Sequence, residues 1–135
     1  MPALHPAAVK KPLLWLLVPV TAGVLLHSYE LFKAMGTGNN SFAIGLLAWS
    51  ALPYAVALAL AGLRVRPSRA AGFAWASLVG SLYMHYVVFV QPTGSTAALG
   101  LLFMPLWNLL LLGPIGLLVV WGLEASSSGN GSNAA

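Results

Sequence analysis

Apolar positions fall into four long runs, at residues 13–32, 42–63, 70–90 and 96–122. Short polar breaks separate them. A helix needs about 20 mostly apolar residues to cross a hydrocarbon core of about 30 Å. Each run is long enough, so the pattern predicts an all-α fold, a four-helix transmembrane bundle. The breaks carry turn chemistry: Gly36-Thr37-Gly38-Asn39-Asn40, Arg64-Val65-Arg66-Pro67-Ser68-Arg69 and Gln91-Pro92-Thr93-Gly94-Ser95. Ser41, Ser68 and Ser95 stand just before apolar runs and are predicted N-caps. The chain thus divides into an N-terminal segment (1–12), a membrane domain (13–124) and a tail (125–135). The tail is Ser, Gly, Asn and Ala, with nothing large and apolar to bury, and is expected to be disordered.

The cations give this bundle a direction. Lys10 and Lys11 precede the first run, and Arg64, Arg66 and Arg69 fill the second break. With four spans these segments share a side, and the other side has Lys33 alone. The positive-inside rule then predicts a cytoplasmic N-terminus, second loop and C-terminus. Trp15, Trp75 and Trp121 fall near the same ends of their helices, where indole prefers the interface. The expected location is the plasma membrane (a bacterial inner membrane). A cleaved signal peptide over the first run fits poorly. The run is too long, and Glu30 and Lys33 would precede the cleavage point.

Composition narrows the function classes. Apolar residues make up 59% of the 135 residues and charged residues 6%. Soluble domains carry about a quarter charged residues. The basic excess lies in short loops, so it argues orientation rather than nucleic-acid binding. There is no cysteine, which removes disulfides, thiolate metal sites and thioether heme attachment.

Lipid is as apolar as leucine, so membrane helices pack through small residues and interhelical hydrogen bonds. The second run has Ala51, Ala55 and Ala59 at i, i+4, i+8, and the third has Gly72, Ala76 and Gly80. Folding at the short second loop sets these stripes level, which predicts a close pair between the second and third helices. Pro105 and Pro114 predict a kink in the fourth, softest at Gly113-Pro114.

Ionisable groups inside a membrane helix are costly and count as site candidates. His27 and Glu30 lie late in the first run and His85 late in the third. Both histidines stand about fourteen residues, or roughly 21 Å, along helices that run outward. They share a depth in the outer third. Ser77, Ser81 and His85 form a polar stripe at i, i+4, i+8, and Asn108 lies mid-way along the fourth run, suited to interhelical bonding. His27 and His85 are therefore expected to face the interior, with Glu30 nearer the outer opening. A bland alternative pairs Glu30 with His27 or Lys33, three residues away on either side.

Three uses of this cluster follow. The histidines could ligate a heme b, the three residues could bind zinc or iron, or they could carry protons. No nucleophile has an adjacent base, and no phosphate loop or zincin spacing occurs, so an enzyme is the least supported class. The leading expectation is a non-catalytic accessory or interaction subunit without a cofactor. Its surroundings would be the lipid bilayer and either a membrane-protein partner or further copies of itself, with no nucleic acid. A small oligomeric transporter or proton-coupled carrier is the alternative. In length and span count the chain looks like the small multidrug-resistance transporters. That family carries its working glutamate mid-way along the first helix, whereas Glu30 is near the outer end.

Overall fold

The computed structural model describes residues 6–34, 40–91 and 97–130. All secondary structure among them is helical. Helix α1 is Pro6–Ala34, α2 Asn40–Gly62, α3 Pro67–Phe89, α4 Ala97–Trp107 and α5 Gly113–Asn130. A single π-helical segment, Asn108–Leu112, joins α4 to α5. Four helical stretches are long and apolar enough to cross a membrane: Lys11–Lys33, Asn40–Gly62, Pro67–Phe89 and Leu99–Ser128. Large apolar side chains such as Leu14, Leu25, Phe42, Leu110 and Leu123 are exposed on the outside of the bundle. An exterior of this kind suits hydrocarbon as the surrounding medium.

The helix ends differ in detail from those predicted. Helix α3 begins at Pro67, where a missing N–H costs nothing. Its N-cap is Arg66, with no side-chain cap, and the Ser68 hydroxyl instead reaches the Glu124 carboxylate. Ser41 lies inside α2, which begins at Asn40, and Ser95 lies outside the described residues. Helix α5 runs on to Asn130, so residues 125–130, expected to be disordered, are helical. Ser126, Ser127 and Ser128 donate their hydroxyls to the carbonyls one turn back, which ties the polar side chains to the helix. The α2–α3 turn closes with a bond from Val65 N–H to the Leu60 carbonyl (3.1 Å). Arg64 takes a left-handed φ of 70° at the position where glycine is usual.

The fourth span keeps its helical course past both prolines. Pro114 has no N–H to donate, and its ring would crowd the carbonyl one turn back. The wide π-turn relieves that crowding, and the Gly113 N–H bonds to the Asn108 carbonyl across it. Pro105 is fully buried in α4.

Helix α3 is the central element and touches α1, α2, α4 and α5. Its small-residue stripe does not meet α2. A Cβ added to Gly72 would lie 2.6 Å from the Gly116 carbonyl oxygen, and one added to Gly116 would lie 2.6 Å from the Ala76 Cβ. A Cβ on Gly80 would lie 2.9 Å from Asn108 Oδ1. The stripe is therefore the seat of the fourth span. Ala55 and Ala59 face outward, Ala51 is half-buried, and α2 instead buries Ser50, Pro53, Tyr54 and Ala57. The predicted register of Ala51, Ala55 and Ala59 against Gly80, Ala76 and Gly72 is replaced by an α3–α5 contact. A short loop makes two helices antiparallel but does not fix their rotation, and Gly116 offers α3 a closer fit than any alanine of α2.

Glu124, part-way along α5, accepts from Arg69 Nε (2.8 Å) and lies 3.6 Å from Arg66 Nη1. With Ser68 this fastens α5 to the start of α3. Trp75 Nε1 donates to the Trp15 carbonyl (3.0 Å), tying α3 to α1 at the same end. Between that end and mid-bundle, Leu16, Val20, Ala57, Ala70, Phe73 and Ala74 form a close apolar core.

Candidate functional site

The other half of the bundle holds the polar groups. His27 stands one turn beyond Gly23, and Gly23 lies against the Tyr54 ring, where any side chain would overlap it. That missing side chain lets α2 approach α1. The ring of Tyr54 then sits 6.2 Å from the His27 ring. His85 comes in from α3, its ring centroid 5.6 Å from that of His27. Glu30 bridges the two. His27 Nδ1 donates to Glu30 Oε2 (3.2 Å), and His85 Nε2 touches Glu30 Oε1. The Phe89 ring packs beside His85, at 5.8 Å. His27 is only 6% exposed, and the Glu30 and His85 side chains are mostly covered.

Hydrogen-bond acceptors set the tautomers. His85 Nδ1 lies 2.7 Å from the Ser81 carbonyl oxygen, which can only accept. The proton on His85 is therefore on Nδ1, and in the neutral ring Nε2 carries the lone pair. The same argument applies to His27, whose Nδ1 faces a carboxylate oxygen. His27 Nε2 is buried without a hydrogen-bond partner among the described residues. A buried polar atom left unpaired costs about 1–3 kcal/mol.

The three side chains line a cavity of about 200 Å³, with Ser50, Leu101 and Met104 on its other walls. Pockets for drug-sized ligands hold about 300–1,000 Å³. The space suits an ion or a few small atoms and is too small for a tetrapyrrole. Glu30, moreover, occupies the region between the two imidazoles that a heme plane would need. One ligand atom from each of His27, Glu30 and His85 lies within 4.8 Å of the others, the arrangement a metal ion can draw on.

Toward mid-bundle the polar groups continue one layer further. Asn108 Nδ2 donates to Ser81 Oγ (3.1 Å), and Tyr54 Oη approaches the same oxygen at 3.4 Å. Asn108 Oδ1 and Ser77 Oγ are buried without partners among the described residues. Ser77 is thus part of the stripe but not joined to the network. Below it the apolar core begins.

The structure brings His27, Glu30 and His85 together and links Ser81 to Asn108. Glu30 lies between the histidines rather than above them. Lys33 is directed elsewhere, its ammonium 4.9 Å from the Tyr29 ring centre. Sequence reasoning missed Tyr54 as the ring beneath His27, and it missed the Glu124 fastening. A signal for the latter existed: the chain has two acidic residues, and the second lies two apolar runs beyond three arginines, back at their end of the bundle. No family model matches the chain, and no curated protein or solved structure does either.

Proposed function

We propose that this chain is a small, non-catalytic, multi-pass protein of the bacterial inner membrane. Its His27–Glu30–His85 pocket holds a small polar or cationic ligand reached from the outer side, and it serves as an accessory subunit to a larger membrane partner. The observation that carries the reading is the convergence of three ionisable side chains on one small cavity. The positive-inside rule puts Arg64, Arg66 and Arg69 in the cytoplasm, so the pocket belongs to the outer half. The apolar core and the Glu124 fastening lie between it and the cytoplasm. That arrangement favours a one-sided binding site over an open channel.

The absence of cysteine makes the test direct. Leu101→Cys places one thiol on the pocket wall. In right-side-out membranes a small impermeant methanethiosulfonate should modify it, and in inverted vesicles it should react far more slowly. Reporter fusions after Gly38 and Gly94 should read outside, and those after Arg66 and Glu124 inside. Modification from the cytoplasmic face alone would overturn both the orientation and the one-sided pocket.

A carrier is the second reading, favoured by the Ser81–Asn108–Tyr54 layer that extends the site inward. A carrier must open the apolar core on the other side during its cycle. Flux into proteoliposomes that is unchanged in Glu30→Gln and His85→Ala variants would exclude it.

A further inference from the structure

We infer that the pocket is a binding site for one divalent first-row transition-metal ion, held by His27, Glu30 and His85; this rests on reading the pocket as a ligand site.

The argument starts from lone pairs. His85 Nδ1–H is committed to the Ser81 carbonyl (2.7 Å), so its Nε2 presents a lone pair to Glu30 Oε1. A carboxylate oxygen also presents a lone pair. Two acceptors in contact repel unless a cation sits between them. A proton answers that contact and no other. A metal ion in that space takes all three side chains together, His85 through Nε2, His27 through Nδ1 in place of its proton, and Glu30 through its carboxylate.

The surrounding bonds are those a metal site uses. Metal-ligating histidines hand their other ring N–H to a carbonyl or a carboxylate, which fixes the tautomer and the ring plane. His85 does this with the Ser81 carbonyl. The donor atoms span at most 4.8 Å. Tetrahedral ligands at about 2.1 Å from a common ion stand about 3.4 Å apart, so the widest pair closes by about 1.4 Å to seat it. The cavity supplies the open side of the coordination shell, where a water or a partner's ligand can stand.

Donor chemistry selects the class. Two imidazoles and one carboxylate suit zinc, iron, cobalt or nickel in the divalent state. Calcium and magnesium prefer all-oxygen shells, and copper(I) prefers sulfur. Charge agrees: a divalent ion with one carboxylate leaves a single net positive charge, far less costly to bury than the free ion.

The test uses the full chain in mild detergent after chelator treatment, titrated with Co²⁺ and Zn²⁺. We expect one ion per chain and the intense visible bands of low-coordinate cobalt. Zn²⁺ should displace cobalt, and excess Mg²⁺ should not. Zn²⁺ should also raise the thermal midpoint of the unmutated protein, a readout that needs no variant. Glu30→Gln, His27→Gln and His85→Gln should each weaken binding at least tenfold, while His5→Gln changes nothing. Helical content by circular dichroism confirms that each variant is folded. No stoichiometric ion in the folded wild type, or wild-type affinity in all three pocket variants, overturns the metal site. A Leu101→Cys thiol that reacts from outside in such a metal-free protein would keep the pocket and discard the ion.

Discussion

Gly116→Leu is expected to lower the thermal stability of the bundle sharply, whereas Ala55→Leu leaves it within about 0.5 kcal/mol of the parent. At Gly116 even a Cβ would stand 2.9 Å from the Gly72 carbonyl carbon. The obstacle is backbone, so no side-chain rotation relieves it. Overpacking costs about 1–3 kcal/mol in a well-packed core, and a rigid obstacle belongs at the upper end or beyond. Ala55 points outward, where three more carbons meet acyl chains or detergent. The measurement is thermal unfolding of both variants in the same mild detergent. Equal losses would return α2 to the face of α3 that the structure gives to α5.

This pair of substitutions also shows where sequence reasoning reached its limit. The small-residue stripe on α3 is visible as Gly72, Ala76 and Gly80, but such a stripe accepts any helix that brings another small residue. Gly116 was such a residue in plain sight, masked by the kink expected at Pro114. The structure turns that kink into a π-turn with the helix continuing through it. Depth was easier to read than rotation. The rise per residue alone placed His27 and His85 at one level, because both helices start from the same side. Their shared face followed from the Ser77–Ser81–His85 stripe, since burying polar groups away from lipid leaves one choice of orientation. The bridging position of Glu30 did not follow. It depends on α1 and α3 being direct neighbours, which loop lengths do not specify. The Glu124 fastening was hidden for another reason. Arginines near a membrane end were read for orientation, and the same residues also hold a carboxylate.

Tyr54→Ala should be the most damaging substitution outside the glycine seat, and Tyr54→Phe should be mild. The Tyr54 ring is 1% exposed and packs into the notch left by Gly23, between His27 and the apolar core. Its removal leaves a void of roughly 100 Å³, and residual cavities cost about 24 cal/mol per Å³, so the packing loss is about 2–3 kcal/mol. The transfer term known from soluble proteins adds little here, because an unfolded segment in a membrane still lies in apolar surroundings. Tyr54→Phe keeps the ring and removes only the hydroxyl, whose 3.4 Å approach to Ser81 Oγ is long for an O–H···O bond. Interhelical hydrogen bonds in membranes average about 0.6 kcal/mol, which sets the scale of that loss. The two variants also differ at the pocket. With the ring gone, the floor beneath His27 opens toward mid-bundle, so Tyr54→Ala should let the methanethiosulfonate reach a Ser77→Cys thiol that it cannot reach in the parent or in Tyr54→Phe. Thermal unfolding and thiol modification together make the check. Equal stability of the alanine and phenylalanine variants, with Ser77→Cys unreactive in both, would mean that the ring neither fills the Gly23 notch nor closes the pocket from below.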